Sequence, residues 1–129
     1  SKILLNIKNC ICINNIYEDC NKTWYIKIKV PNDIVNIIQD IDNKSKSFCN
    51  TDYLYSITND NEVKIKIPYR YKKFECVFKD KNNNLLVSSD IKSNDILSIN
   101  IECVNLWTLT NDKGQLSGLL WKTQLIKQM

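Results

Sequence analysis

The chain alternates apolar and polar residues with a period of two along several short segments, and this alternation constrains its fold more than any other feature. A period of two places successive side chains on opposite faces of a β-strand, so each segment predicts a strand with one buried face. The alternating segments are residues 23–30, 62–67, 73–79 and 97–107, and shorter apolar runs lie at 3–7, 85–88 and 119–126. Many short strands separated by turns predict a mainly β protein, either a small barrel or a β-sandwich.

One segment has the periodicity of a helix instead. Isoleucines recur there at positions i, i+3, i+4 and i+7, which predicts a short helix from Ile34 to about Ile41. Asp80–Asn84 and Asn111–Gly114 contain the residues that tight turns prefer. Because no repeat or linker divides the chain, we predict a single domain that spans residues 1–129.

The composition excludes several kinds of functional site. Histidine is absent, so the chain lacks the usual base of nucleophilic triads and a frequent metal ligand. The two glycines both lie near the C-terminus and form no glycine-rich phosphate loop. No pair of acidic residues has a spacing that indicates acid–base catalysis, and no apolar run reaches the roughly 20 residues of a membrane span. The sequence therefore predicts a protein that is not an enzyme, holds no metal or other cofactor and has no membrane partner.

The six cysteines allow two interpretations. Cys76 and Cys103 occupy apolar positions of predicted strands, where a free thiol packs as a small hydrophobic side chain. Reduced, mostly buried cysteines are therefore the main interpretation. Since an even number of cysteines is also typical of secreted proteins, the alternative is a secreted β-sandwich, stapled by disulfides, that binds a host protein.

The net charge is only +4, but the lysines are not evenly distributed. Positive charge is concentrated in residues 22–29, 62–81 and 113–129, which overlap predicted strands, whereas most aspartates lie between these blocks. Such clustering is typical of proteins that bind a polyanion. The alternative is that an AT-rich genome supplies many lysines, which then occupy any solvated strand face.

Tyrosines and cations are interleaved after Pro68, and a tyrosine with two lysines occupies the outward face of the 23–30 strand. This combination binds single-stranded nucleic acid, because cations hold phosphates while aromatic rings stack on unpaired bases for about 1–3 kcal/mol each. The alternative for the tyrosines after Pro68 is core packing in phase with the 62–67 strand. The candidate binding residues are Tyr25, Lys27, Lys29, Lys64, Lys66, Tyr69, Arg70, Tyr71, Lys72 and Lys73.

Three motifs in order resemble the single-stranded DNA-binding proteins of large DNA viruses and of yeast cytoplasmic linear plasmids. The motifs are Ile67–Glu75, Ser93–Cys103 leading to Leu106–Trp107, and Ser117–Lys127, and together they cover about half of the chain. The resemblance implies an OB-like barrel that coats single-stranded DNA with little sequence preference during DNA replication. It also implies a cytoplasmic location, in a viral or plasmid replication compartment. RNA as a second ligand, replication proteins as partners and an oligomeric state are left open.

The last of these motifs contributes two further candidate residues. Trp121 is in phase with the apolar residues of its strand, which favours a place in the core, whereas Lys122 and Gln124 face the other way and are predicted to contact DNA. Trp107 also belongs to a matched motif, but the sequence leaves open whether its side chain packs in the core or lies at the surface. Gly118 indicates a bulge or a close approach that lets the barrel close.

Overall fold

The computed structural model describes residues 3–129, and within this range the chain forms eleven strands and one α-helix. The helix, α1, spans Asn32–Lys46, and a 3-10 turn spans Ser88–Asp90. The strands are β1 (Ile3–Cys12), β2 (Tyr17–Glu18), β3 (Trp24–Lys29), β4 (Asp52–Leu54), β5 (Glu62–Ile67), β6 (Tyr69–Arg70), β7 (Lys73–Phe74), β8 (Val77–Lys79), β9 (Leu85–Leu86), β10 (Ile96–Asn111) and β11 (Gly114–Gln128).

Five of these strands close into a barrel. β1 pairs antiparallel with β3, β3 pairs antiparallel with β5, and β5 lies parallel to β11. β11 then pairs antiparallel with β10, which returns to β1 and closes the sheet. A five-stranded Greek-key barrel of this kind is the OB architecture, so the predicted OB-like fold is confirmed. The alternative of a β-sandwich is wrong, because the sheet closes on itself instead of dividing into two.

The alternating pattern correctly predicts which side chains fill the barrel. Trp121 is only 2% exposed, as its phase on β11 predicts. Its indole N–H, which needs a partner once buried, donates to the Ser56 hydroxyl at 2.8 Å. Buried aliphatic residues from all five barrel strands form one core with it: Ile7, Ile26, Ile28, Val63, Ile65, Ile67, Leu97, Ile99, Ile101 and Ile126.

The helix is longer than predicted and continues to Lys46. Of the predicted apolar face, Ile38 is buried and Ile34 and Ile41 pack against the core, whereas Ile37 is 41% exposed. Val35 and Asp42 are also buried. The apolar pattern ends at Ile41, so periodicity alone did not predict the last turn. That turn packs against the barrel through the buried carboxylate of Asp42, which accepts hydrogen bonds from residues outside the helix.

Two predicted strands differ in their extent. The segment 73–79 is divided into β7 and β8, because the Glu75 amide donates to the Pro68 carbonyl at 2.9 Å and not to a neighbouring strand. The segment 85–88 is a strand only as far as Leu86, and a 3-10 turn follows it. The Asp90 carboxylate stabilises this turn by accepting a hydrogen bond from the Val87 amide at 2.9 Å.

All six cysteines are free thiols in the structure. Cys10, Cys12 and Cys76 are buried, Cys20 is exposed, and Cys49 and Cys103 are half-buried. Fewer of the cysteines are therefore buried than predicted. Among residues 3–129, no three His, Cys, Asp or Glu side chains are grouped closely enough to hold a metal ion. No helix in the same range is both long and apolar enough to cross a membrane.

We expect the free energy of unfolding to fall at alkaline pH because of the buried thiols. Burial raises the pKa of Cys10 and of Cys76 from 9.0 to about 12. The unfolded chain therefore releases these protons from pH 9 upward while the folded chain keeps them. The stabilisation is complete below pH 9 and is lost as the pH rises toward 12, by about 1.4 kcal/mol per pH unit for each thiol.

Urea unfolding curves between pH 7 and pH 11 measure this dependence. Cys10→Ala should reduce the alkaline slope, and the matched variant Cys20→Ala, at an exposed position, should leave it unchanged. Equal slopes in the two variants are the result that contradicts the prediction.

Candidate nucleic-acid interface

A row of side chains crosses the outward face of the barrel from β2 to β11. Tyr17 is paired with Tyr25, Tyr25 with Lys66, and Lys66 with Lys122. Directly paired residues point to the same face of a sheet, and adjacent strands lie about 4.8 Å apart. The folded chain therefore places two predicted lysines and a predicted tyrosine side by side, although they are far apart in the sequence.

A second row on the same face concentrates positive charge. Lys27 lies directly opposite Lys64, a like-charge pairing that destabilises a sheet unless an anion compensates for it. The Lys64 ammonium lies 3.9 Å from the centroid of the Tyr25 ring, within the range of a cation–π contact. In the described part of the chain, Lys27, Lys64, Lys66 and Lys122 form no ion pair. Lys27, Lys64 and Lys66 are therefore available to an anionic ligand, and Lys122 is too, although it lies directly opposite Glu102 on β10.

Three clefts follow one another along the outward face of β11, and we call them together the binding groove. Tyr25 and Trp107 line the first, Lys66 and Tyr69 the second, and Asn6 and Gln124 the third. Leu120 lines both the first and the second cleft, and Lys122 lines both the second and the third, so the clefts are continuous. The predicted residues that line the groove are Tyr25, Lys64, Lys66, Tyr69, Arg70, Lys122 and Gln124. The predicted residues outside its walls are Lys27, Lys29, Tyr71, Lys72 and Lys73.

Trp107 lines the first cleft, although the sequence left its role open. It is the cross-strand partner of Gly118 in the β10–β11 hairpin, and its ring packs where a side chain on Gly118 would be. A Cβ atom on Gly118 would lie 2.6 Å from Cζ2 of Trp107. The structure thus shows a close approach at Gly118, but its main neighbour is the Trp107 side chain and no bulge lies at this pair. The absence of a side chain leaves room for a half-buried indole ring in the groove.

We expect Gly118→Ala to displace the Trp107 ring and to weaken binding of single-stranded DNA about 5- to 10-fold, since stacking on one ring contributes about 1–3 kcal/mol. Fluorescence titration with oligo-dT measures the loss. In a Trp107→Ala background the same substitution should have little further effect on affinity, because the ring it displaces is gone. Additive losses in the double variant would show that Gly118 acts independently of Trp107.

The β6–β7 hairpin borders the second cleft. Its turn residues, Tyr71 and Lys72, both have positive φ angles, 55° and 64°, a conformation that glycine and asparagine adopt at lower cost. Tyr71 is 89% exposed at the tip, so the alternative of core packing is wrong for it. Tyr69 is 42% exposed and contacts the Trp24 ring at a centroid distance of 5.8 Å. Tyr69 thus packs on one face and remains accessible in the groove.

The cations of this hairpin differ in their surroundings. Arg70 forms an exposed ion pair with Glu75, with Nε 3.4 Å from Oε1. Such a surface pair is weak and competes little with a phosphate. Lys72 and Lys73 are exposed beside the groove without lining it.

A buried hydrogen-bond network positions the opposite wall of the groove. The Asp42 carboxylate, which is inaccessible to solvent, accepts hydrogen bonds from the Tyr53 hydroxyl at 2.7 Å and from the Ser56 amide and hydroxyl, each at 2.9 Å. Burial, together with the hydrogen bond to Asp42 and its charge, raises the pKa of Tyr53. Because the segment 53–56 is fixed at both ends, Leu54 and Tyr55 line the first cleft.

Tyr55 is a groove residue that is not among the candidates from the sequence, because the segment around it is acidic. Its ring is 43% exposed and forms an edge contact with Tyr53, with centroids 5.2 Å apart. The Lys46 ammonium donates to its hydroxyl at 3.0 Å, and this contact raises the pKa of Lys46. A lysine at the end of α1 thus adds positive charge beside the first cleft.

The topology and the groove define an OB-fold barrel with a basic, aromatic face. Its fold is similar to solved structures of the single-stranded DNA-binding protein from bacteriophage Enc34. One structure has a TM-score of 0.58 at 13% identity, covering 98% of this chain and 79% of the phage chain. Another, in complex with ssDNA, has a TM-score of 0.55 at 10% identity, covering 99% and 85%. At these identities the similarity shows a shared fold. In sequence, the chain matches no protein-family model and no curated protein.

Proposed function

We propose that the protein binds single-stranded DNA without catalysis and coats it with little sequence preference during DNA replication. The observation that carries this proposal is the binding groove, in which lysines that form no ion pair within residues 3–129 lie beside partly exposed aromatic rings. The groove begins on β3 and β5, the second and third barrel strands, whose outward face binds oligonucleotides in OB folds. The Enc34 protein, which has this fold, has been solved in complex with ssDNA.

The chemistry of the groove favours single strands over duplexes. Lys64, Lys66 and Lys122 can neutralise successive phosphates, while Tyr25 and Trp107 can stack on bases that have no stacked neighbour. Bases in a duplex already stack on one another, so the rings gain nothing from them. Stacking and phosphate contacts do not distinguish one base from another, which favours binding with little sequence preference.

The finer parts of the proposal follow from the resemblance of the three sequence motifs. A role in replication and a place in a cytoplasmic viral or plasmid compartment are what that resemblance implies. RNA carries the same phosphates and base faces, so an RNA oligomer is the natural second ligand to compare.

A competition experiment tests the proposal. Quenching of tryptophan and tyrosine fluorescence by an oligo-dT of about 15 nucleotides reports binding, and unlabelled single-stranded or duplex DNA of the same length competes for the protein. We expect single strands of mixed sequence to compete nearly as well as oligo-dT, and duplex to compete at least about 10-fold less well. Equal competition by duplex would exclude a groove that recognises unpaired bases.

A further inference from the structure

The third cleft of the binding groove lies beyond the face on which OB folds usually hold oligonucleotides. It has a volume of about 570 Å³ and is formed between β1, β10 and β11. Lys122 forms the wall that it shares with the second cleft. Its lining combines the cross-strand charged partners Glu102 and Lys122 with apolar and amide side chains: Leu4, Leu5, Ile101, Leu125, Asn6, Asn100 and Gln124.

A β-bulge places Gln124 in this cleft. Asn100 pairs with Leu125 and Ile101 pairs with Thr123, so Gln124 is the extra residue on β11. The Thr123 hydroxyl fixes the bulge, because it donates to the Asn100 carbonyl at 2.6 Å and accepts from the Leu125 amide at 3.3 Å. Bulges commonly redirect a side chain beside a binding site, and this one directs the Gln124 amide into the cleft.

Three amide side chains face the cleft with their hydrogen-bonding groups unused. Asn6 and Asn100 are direct cross-strand partners on β1 and β10, and Gln124 lies beside them on β11. Within residues 3–129, none of these three side-chain amides has a hydrogen-bond partner. Leu4, which is 70% exposed, adds apolar surface. Apolar walls with free amides suit a flat ligand that carries donors and acceptors on its rim.

We propose that the third cleft binds an unpaired nucleobase of the strand held in the groove, so that the DNA path extends from β3 to the β1–β10 side. This inference rests on the proposed function. Leu4 and Leu125 contact the face of the base, Lys122 holds the phosphate between the second and third clefts, and the amides bond the edge of the base. An amide presents both a donor and an acceptor, so the cleft accepts any of the four bases.

Photo-crosslinking tests this path in the full chain. Oligo-dT of about 15 nucleotides is prepared with a single 4-thiothymidine at each position in turn, and the crosslinked peptides are identified by mass spectrometry. We expect crosslinks to 4–6 or 124–125 from one end of the oligomer, and crosslinks to the peptide with Trp107 from other positions. Normal binding with no crosslink in the third cleft overturns the inference, whereas absence of binding overturns the proposed function itself.

The dependence on oligomer length provides a second test. Asn6→Ala combined with Gln124→Ala should weaken binding of the long oligomer about 5- to 10-fold, since two hydrogen bonds to the base are lost. The same double variant should bind an oligomer of about 6 nucleotides within about 2-fold of wild type, because the first two clefts suffice for it. Gln115→Ala is the matched control, an exposed glutamine near the end of the β10–β11 hairpin. A loss that is absent, equal for both lengths, or shared by the control overturns the inference.

Discussion

Reversing the charge at Lys66 and Lys122 is expected to weaken binding of oligo-dT by about 100-fold or more at low salt. These two lysines are cross-strand partners at the centre of the binding groove, so each can contact a phosphate of the same strand. Loss of two phosphate contacts should also reduce the slope of log affinity against log salt by about 1.4, at about 0.7 per phosphate. A titration of Lys66→Glu/Lys122→Glu at several salt concentrations measures both effects.

The matched control separates the groove from net charge alone. Lys44→Glu/Lys81→Glu changes the net charge by the same amount at two exposed positions outside the groove. We expect its affinity to stay within about 3-fold of wild type and its salt slope to be unchanged. If both double variants lose the same affinity, the protein attracts DNA by its overall charge and the groove has no special role.

Asp42→Ala is expected to lower the free energy of unfolding by about 3 kcal/mol. The carboxylate accepts three hydrogen bonds from Tyr53 and Ser56, and Ser56 in turn accepts from the Trp121 indole in the core. Removal of the carboxylate leaves buried donors without a partner, which costs more than loss of an exposed hydrogen bond. Urea unfolding at neutral pH measures the change.

Two further variants test whether the Asp42 hydrogen bonds carry this stability. Tyr53→Phe removes one hydrogen bond and should cost about 1 kcal/mol, whereas Asp40→Ala, at an exposed position of the same helix, should stay within about 0.5 kcal/mol of wild type. Because the network positions Leu54 and Tyr55, Asp42→Ala should also weaken DNA binding, by about 5-fold at a temperature where it remains folded. An Asp42→Ala protein as stable as Asp40→Ala would contradict this account.

The barrel strands could be predicted from the sequence because each has one buried and one solvated face. The phase of Lys64 and Lys66 on β5, and of Tyr25 and Lys27 on β3, follows directly from the alternation. Strand pairing could not be predicted in the same way, since it depends on contacts between distant segments. The parallel contact of β5 with β11 brings Lys66 to Lys122, and no local pattern contains that information.

The residues of the opposite wall of the groove were harder to predict from the sequence than the barrel strands. Tyr55 lies there because Asp42 is buried, and an aspartate within an acidic, polar stretch predicts a solvated residue. The cross-strand partner of Trp107 could be derived from the sequence. Counting back along both strands from the predicted turn Asn111–Gly114 pairs Trp107 with Gly118, a position with room for a ring. The bulge at Gln124 has a weaker signal: the adjacent apolar residues Leu125 and Ile126 interrupt the alternation, but the sequence does not show which of the two is buried.

Titration of the wild-type protein with oligo-dT at 50 mM and 200 mM salt tests the central claim most directly. The cations that line the groove are Lys64, Lys66, Arg70 and Lys122. If each neutralises one phosphate, the slope of log affinity against log salt is about −3, with aromatic fluorescence quenched on binding at both concentrations. No binding, or an affinity that does not change with salt, would contradict the assignment of this groove to single-stranded DNA.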